Sequence, residues 1–197
     1  MMDENLEKKF RDLSQEEMKD LVGALDPANY ESFLNELDDF QTAKLRERAQ
    51  GDFMEYVKMM WPGFVHGRHH ALMAKKFEDI ANGKIKRAII NMPPRHTKSE
   101  FASYLLPSWF LGKFPNKKVI QCSNTAELAV GFGRKVRNLV GSEQYAKVFP
   151  NVALRQDSKA AGRWATNGGG EYFAIGVGGT VTGKGADLLI IDDPHSE

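Results

Sequence analysis

The sequence predicts an α/β fold, a mainly parallel central sheet flanked by helices, preceded by a small helical appendage at the N-terminus. Three observations carry this expectation. From residue 51 onward, short apolar runs at 87–91, 118–122 and 188–191 alternate with segments of helical periodicity, the pattern of strand–helix–strand units. The 197 residues are 42% apolar and 27% charged, enough for one sizeable core and an extension. Charge is unevenly divided: residues 1–50 hold 13 acidic against 7 basic side chains, and residues 51–197 hold 13 against 20. The net charge of +1 therefore conceals an acidic head and a basic body, and the expected domains are 1–50 and 51–197.

Taken in order, Leu6, Phe10 and Leu13 fall at helical spacing, and Ser14-Gln-Glu-Glu17 is a capping box ahead of Met18, Leu21 and Val22. Asp26-Pro27-Ala-Asn29 is turn chemistry, after which Phe33, Leu34 and Leu37 open a second helix. Two readings of this acidic region stand, a partner-binding helical arm and a partly disordered tail. Residues 87–91 are expected to form a buried strand, and 99–111 a helix with Phe101, Leu105 and Trp109 on its apolar face. Residues 118–122 repeat the strand. Asn124, with Glu127 three positions on, is expected to cap a helix running to about Val140. Residues 163–166 and 172–177, separated by Asn167-Gly-Gly-Gly170, predict a hairpin, and 188–191 a last buried strand.

Composition excludes some classes. Cys122 is the only cysteine, so an intrachain disulfide is impossible and a reducing compartment is the expectation. No apolar run approaches the roughly 20 residues that span a bilayer, and the acidic start Met1-Met-Asp-Glu-Asn5 is no signal peptide. A soluble intracellular protein without membrane contact is expected. The basic surplus of the body suits a polyanion, and equally a solvated enzyme surface.

The segment from Ile89 to Ser99 reads as an apolar strand, a tight loop ending in Lys-Ser, and a helix. That order suits phosphate binding: backbone N–H groups and a helix N-terminus face phosphate oxygens, Lys98 reaches the outer phosphates, and the Ser99 hydroxyl binds magnesium. Against the pattern G-x-x-x-x-G-K-[ST], Met92 and Thr97 occupy the glycine positions. Thr97 is the sharper departure, since a β-branched residue resists positive φ. Pro93 and Pro94 stiffen the approach. The plainer alternative is that Lys98 and Ser99 merely begin a surface helix.

A second segment, residues 186–193, is an apolar strand ending in Asp192 and Asp193. On the phosphate-loop reading Asp192 holds Mg²⁺ and Asp193 is the base that polarises the attacking water, with Glu197 a second candidate for the base. The alternative is that the two aspartates are turn-formers before Pro194. What favours the ATPase reading is the conjunction, because both motifs occur in the required order and each at the required end of its element.

Met92-Pro-Pro-Arg-His-Thr-Lys-Ser-Glu100, Trp109-Phe-Leu-Gly112, the stretch from Tyr145 to Pro150, Thr182-Gly-Lys-Gly-Ala-Asp187 and Ile191-Asp-Asp-Pro194 together resemble the P-loop ATPase domain of tailed-phage terminase large subunits, over roughly residues 52–197. The resemblance implies an ATP- and Mg²⁺-dependent motor that pumps double-stranded DNA into a prohead. Its implied partners are the portal protein, the small terminase subunit and further copies in a ring. Its implied place is the cytoplasm of an infected bacterium and, transiently, the prohead portal. By position, Pro94, Arg95, His96, Thr97, Lys98, Ser99 and Glu100 would line the nucleotide, with Arg95 near the γ-phosphate. Arg134 and Arg137 are candidates for an arginine acting on a neighbouring subunit, or a solvated basic face. Trp61 and His69, within Trp61-Pro-Gly-Phe-Val-His-Gly-Arg-His-His70, would meet the adenine, or else pack at the domain edge. His66, His69 and His70 have no cysteine or carboxylate at ligand spacing, which argues against zinc. The glycines at 176–185 predict a mobile loop near nucleotide or DNA, or a plain connection.

In the class of P-loop ATPases that terminases resemble, a later strand lies between the loop strand and the acidic strand. The sequence ends four residues after Asp193. On this expectation that strand, the coupling motif and the nuclease domain are missing, and the chain is a fragment that turns ATP over far more slowly than an extended version. Two other functions fit the same residues: a related DNA helicase or translocase, and a degenerate P-loop module that binds DNA or a partner without hydrolysis.

Overall fold

The structure, a computed structural model, describes residues 30–195. The expected N-terminal helix and capping box, and Glu197, lie outside these residues. The chain divides between Leu45 and Arg46 into two compact units. Residues 30–45 of the first are helical, part of α1 (Tyr30–Gly51), which includes Phe33, Leu34 and Leu37.

The second unit begins with helices that the sequence reading did not separate. Asp52 caps α2 (Phe53–Met60) by accepting from the Glu55 amide at 2.9 Å, and Phe53, Tyr56, Val57 and Met60 make its buried face at helical spacing. In α3 (Arg68–Ala81) the buried face is His70, Met73, Ala74 and Phe77. After a segment without regular structure, a helical run extends from Lys98 to Lys113. Its middle, Glu100–Leu105, is π-helical and its end is α4 (Leu106–Lys113). The ring of Phe53 meets those of Phe77, Phe101 and Trp109 edge-on at centroid distances of 5.7, 5.9 and 5.4 Å. Each such burial is worth about 1.5–3 kcal/mol. The Trp109 indole N–H is satisfied by the Ala49 carbonyl at 2.9 Å.

The remaining elements are β1 (Lys118–Ser123), α5 (Ala126–Val140), α6 (Glu143–Val148), β2 (Leu154–Ala160), β3 (Arg163–Thr166), β4 (Glu171–Gly176) and β5 (Leu188–Asp192). They build one sheet in the order β2-β3-β4-β1-β5. Only its β4-β1-β5 part is parallel; β2-β3 and β3-β4 are antiparallel. The expected mainly parallel sheet is thus corrected to a mixed one. The cause is local, since connections as short as 161–162 and 167–170 can join only antiparallel neighbours. The polar strand β2 gave no apolar signal to read.

Helix α5 covers β4 and β1, and Gly133 lets it come close: a Cβ there would lie 2.5 Å from the Ala161 carbonyl oxygen. The Trp164 indole donates to the Gly133 carbonyl at 3.2 Å and stacks on Tyr172, rings 5.0 Å apart. The cap of α5 is Thr125, not Asn124: its hydroxyl accepts from the Leu128 amide, while the Asn124 amide donates to the Asp193 carbonyl at 3.0 Å. A further correction concerns residues 87–91, expected as a buried strand. They pair with no strand among the described residues, and Ile89 is 89% exposed. Strand propensity supplies no partner, and an apolar run without one stays an unpaired extended segment. No described helix is long and apolar enough to cross a membrane.

Candidate functional site

The loop before the helical run has an unusual backbone. Arg95 (φ 64°) and Thr97 (φ 61°) are left-handed, and with Asp193 (φ 46°) they are the non-glycine residues of positive φ among those described. The sign of φ therefore alternates along Arg95-His96-Thr97-Lys98. Alternation of this kind is the φ sign pattern of an anion nest, and a helix start, whose first amides have no intrahelical partner, follows directly. All three strained residues lie in this loop or at the strand end that faces it, as strain kept for function does. The loop is tied by its own bonds: His96 Nδ1–H donates to the Pro94 carbonyl (2.9 Å) and the Thr97 hydroxyl to the His96 carbonyl (2.6 Å).

Opposite stands the end of β5. Parallel pairing aligns Asp192 with Ser123, so their side chains share the face on which the π-helical segment lies. The Ser103 hydroxyl, from that segment, donates to Asp192 Oδ2 at 2.8 Å, and Gln121 Nε2 donates to Ser103 at 3.2 Å. Gln121 Oε1 and Ser123 Oγ are buried without a hydrogen-bond partner. Lys98 closes the site, its ammonium 3.4 Å from Asp192 Oδ1 and 2.8 Å from Asp193 Oδ1. The positive φ of Asp193 brings its carboxylate round to the same cation as its neighbour on the strand. The Asp192 side chain is 6% exposed and that of Asp193 63%, so one is fixed in the wall while the other faces solvent. The bond to Asp193 raises the Lys98 pKa, burial opposes it, and the Asp192 charge adds to the rise. Lys98 is a firm cation.

The other nominated residues fall as follows. Pro94, Arg95 and His96 are exposed on the loop, and Ser99 is half-buried at the start of the helical run. Glu100 pairs with Lys135 of α5 at 3.1 Å. The His69 ring lies 3.8 Å from that of His70 and 5.8 Å from that of His96, beside the loop. Trp61 packs against Phe64, centroids 5.3 Å apart. On α5, Arg137 donates to the Asn138 side chain and Arg134 is exposed. Residues 177–187 form a continuous exposed loop, with Lys184 over the Phe173 ring at 4.1 Å.

Sequence reasoning missed Ser103 and Gln121, and read His70 only as one of a group of histidines. Ser103 had a usable signal, since it follows Ser99 by one turn on the same helix and so shares its face. Gln121 carried a weaker one, a polar residue inside an apolar strand. Asp192 Oδ1 and the Ser99 hydroxyl are oxygen donors of the kind a hard divalent cation takes. Among the described residues no group of three or more His, Cys, Asp or Glu side chains is gathered for a metal.

The elements define a mixed α/β protein with a lysine–diaspartate centre beside a left-handed loop. Comparison of the chain with protein-family models, with curated proteins and with solved structures returns no match.

Proposed function

We propose that this chain binds a magnesium-complexed nucleoside triphosphate on the 92–99 loop and hydrolyses it, as the ATPase part of a terminase large subunit that drives double-stranded DNA into a prohead. The observation that carries the nucleotide reading is the convergence of Lys98 with Asp192 and Asp193, 95 positions apart in sequence at the Lys98–Asp193 bond. A cation, a buried hydroxyl-anchored carboxylate and an exposed carboxylate meet beside a row of backbone N–H groups. The motor reading, with portal, small-subunit and ring partners, rests on the motif resemblance over residues 52–197.

In this reading the loop amides and Lys98 bind the outer phosphates, the ammonium exchanging Asp193 for phosphate oxygens. Bound magnesium would supply charge neutralisation across the β- and γ-phosphates. Asp192, anchored at Oδ2 by Ser103, would hold the cation through Oδ1. Asp193, released from Lys98, accepts the proton of the attacking water as the new P–O bond forms and the bond to the β-phosphate oxygen breaks. Arg95 reaches toward the γ-phosphate from the exposed side.

A second reading, nucleotide binding without turnover, is favoured by the unpaired 87–91 segment leading into the loop. Titration of a fluorescent ATP analogue, with and without Mg²⁺, into wild type and Lys98→Ala tests the site. The expected result is magnesium-dependent binding that Lys98→Ala weakens by about 10- to 100-fold, the worth of a charge-assisted hydrogen bond. Equal binding by both proteins overturns the proposal. Binding with no phosphate release, unchanged by Asp193→Asn, selects the second reading.

A further inference from the structure

We propose that His70 is a positioning residue that clamps the phosphate loop in its left-handed shape by holding the Thr97 hydroxyl. The inference rests on the nucleotide reading for its functional consequence, and on geometry alone for the clamp.

The hydrogen-bond roles are fully determined. The Gly67 amide can only donate, and it points at His70 Nδ1 from 2.9 Å, so Nδ1 carries the lone pair. The ring proton of neutral His70 is then on Nε2, 2.8 Å from the Thr97 hydroxyl, which accepts it. Thr97 sends its own proton to the His96 carbonyl at 2.6 Å. One relay thus runs from the N-terminus of α3 through the imidazole into the loop. The ring is itself packed: His70 is 5% exposed, lies nearly parallel to Phe101 at 4.9 Å and meets Phe64 at 4.7 Å. Phe101 belongs to the helical run that the loop introduces, so both ends of the clamp are anchored in the core.

The clamp answers a specific need. Thr97 occupies φ 61°, a conformation a β-branched residue disfavours, at the position between the strained Arg95 and the site lysine. Without an outside hold, this backbone would relax toward negative φ and turn the neighbouring amides away from their common side. Two hydrogen bonds to one hydroxyl hold the side chain, and through it the left-handed backbone. His70 has no contact with Lys98, Asp192 or Asp193 in the hydrogen bonds and ring contacts described, so its effect passes through Thr97.

The test uses three changes and two readouts. Asn at position 70 keeps an acceptor where Nδ1 stands but has nothing to reach Thr97; Gln extends an N–H to the place of Nε2; Thr97→Val removes the hydroxyl from the other side at constant shape. The first readout, free of nucleotide, is the rate of tryptic cleavage after the exposed Arg95, identified by mass. The second is affinity for MgATP. His70→Asn and Thr97→Val should each speed the Arg95 cut and weaken MgATP by about fivefold to tenfold, the worth of one hydrogen bond. His70→Gln should recover most of both. In a Thr97→Gly background, where positive φ is freely adopted, His70→Asn should add nothing further. Unchanged Arg95 cleavage in His70→Asn, or its full effect persisting in the Thr97→Gly background, overturns the clamp. Wild type that fails to bind MgATP, with the cleavage pattern as expected, removes the nucleotide reading and leaves the clamp standing.

Discussion

The two sides of the site are positioned by different means. Asp192 is placed by the sheet: parallel register with Ser123, backbone pairing continued by the Asn124 amide, and a hydroxyl from the helix above. Lys98 is placed by a loop whose preceding segment pairs with no strand among the described residues and whose backbone is left-handed at two residues, tied down by side chains. The acid side therefore draws on cooperative, many-bonded structure, and the loop side on a few identifiable contacts. Single substitutions in the loop should change function with little loss of stability, and those at the buried apolar positions of the strand should cost stability first.

The largest expected contrast comes from two isoleucines. Ile190→Ala removes a buried side chain from β5 and should cost about 2–5 kcal/mol of unfolding free energy, read by chemical denaturation. Ile89→Ser, at an exposed position in the segment before the loop, should stay within about 0.5 kcal/mol. Similar losses would show that the segment shares the cooperativity of the sheet. Next in size is Ser103→Ala, which strips Asp192 Oδ2 of its donor in a buried place. It should cost about 1–3 kcal/mol and weaken magnesium-dependent nucleotide binding more than magnesium-free binding. Equal weakening in both would sever Ser103 from the metal-facing role of Asp192.

The smallest expected effect is pH-dependent. Burial, reinforced by His69, His66 and His96, lowers the His70 pKa from the ordinary value of about 6.5. The unfolded chain then takes up the proton first, so the stability due to neutral His70 is complete above about pH 6.5 and is lost as pH falls through the lowered folded value. Arg95 cleavage should rise over that acid range in wild type and stay flat in His70→Gln. Parallel profiles would assign the pH response to other groups.

The contrast also explains what was legible in the sequence. β1, the β3–β4 hairpin and β5 were readable because apolar runs and the Asn167–Gly170 turn encode them locally. So was the meeting of Lys98 with Asp192 and Asp193, since they sit at element ends where side chains converge. Residues 87–91 misled because their apolarity promises a partner that only tertiary structure could supply. β2 was invisible because its residues from Arg155 to Ser158 alternate no apolar face. His70 was read in a cluster of histidines, and nothing in spacing tells which ring turns inward toward Thr97.

The most direct measurement is amide chemical-shift mapping of the ¹⁵N-labelled chain on addition of MgATP. Binding at the lysine–diaspartate centre predicts the largest shifts at His96, Thr97, Lys98 and Ser99, with Asp192 and Asp193 moving at the same nucleotide concentration, and all of these changes displaced to about 10- to 100-fold higher nucleotide in Lys98→Ala. Shifts centred elsewhere, or loop shifts with an unchanged midpoint in Lys98→Ala, would contradict it.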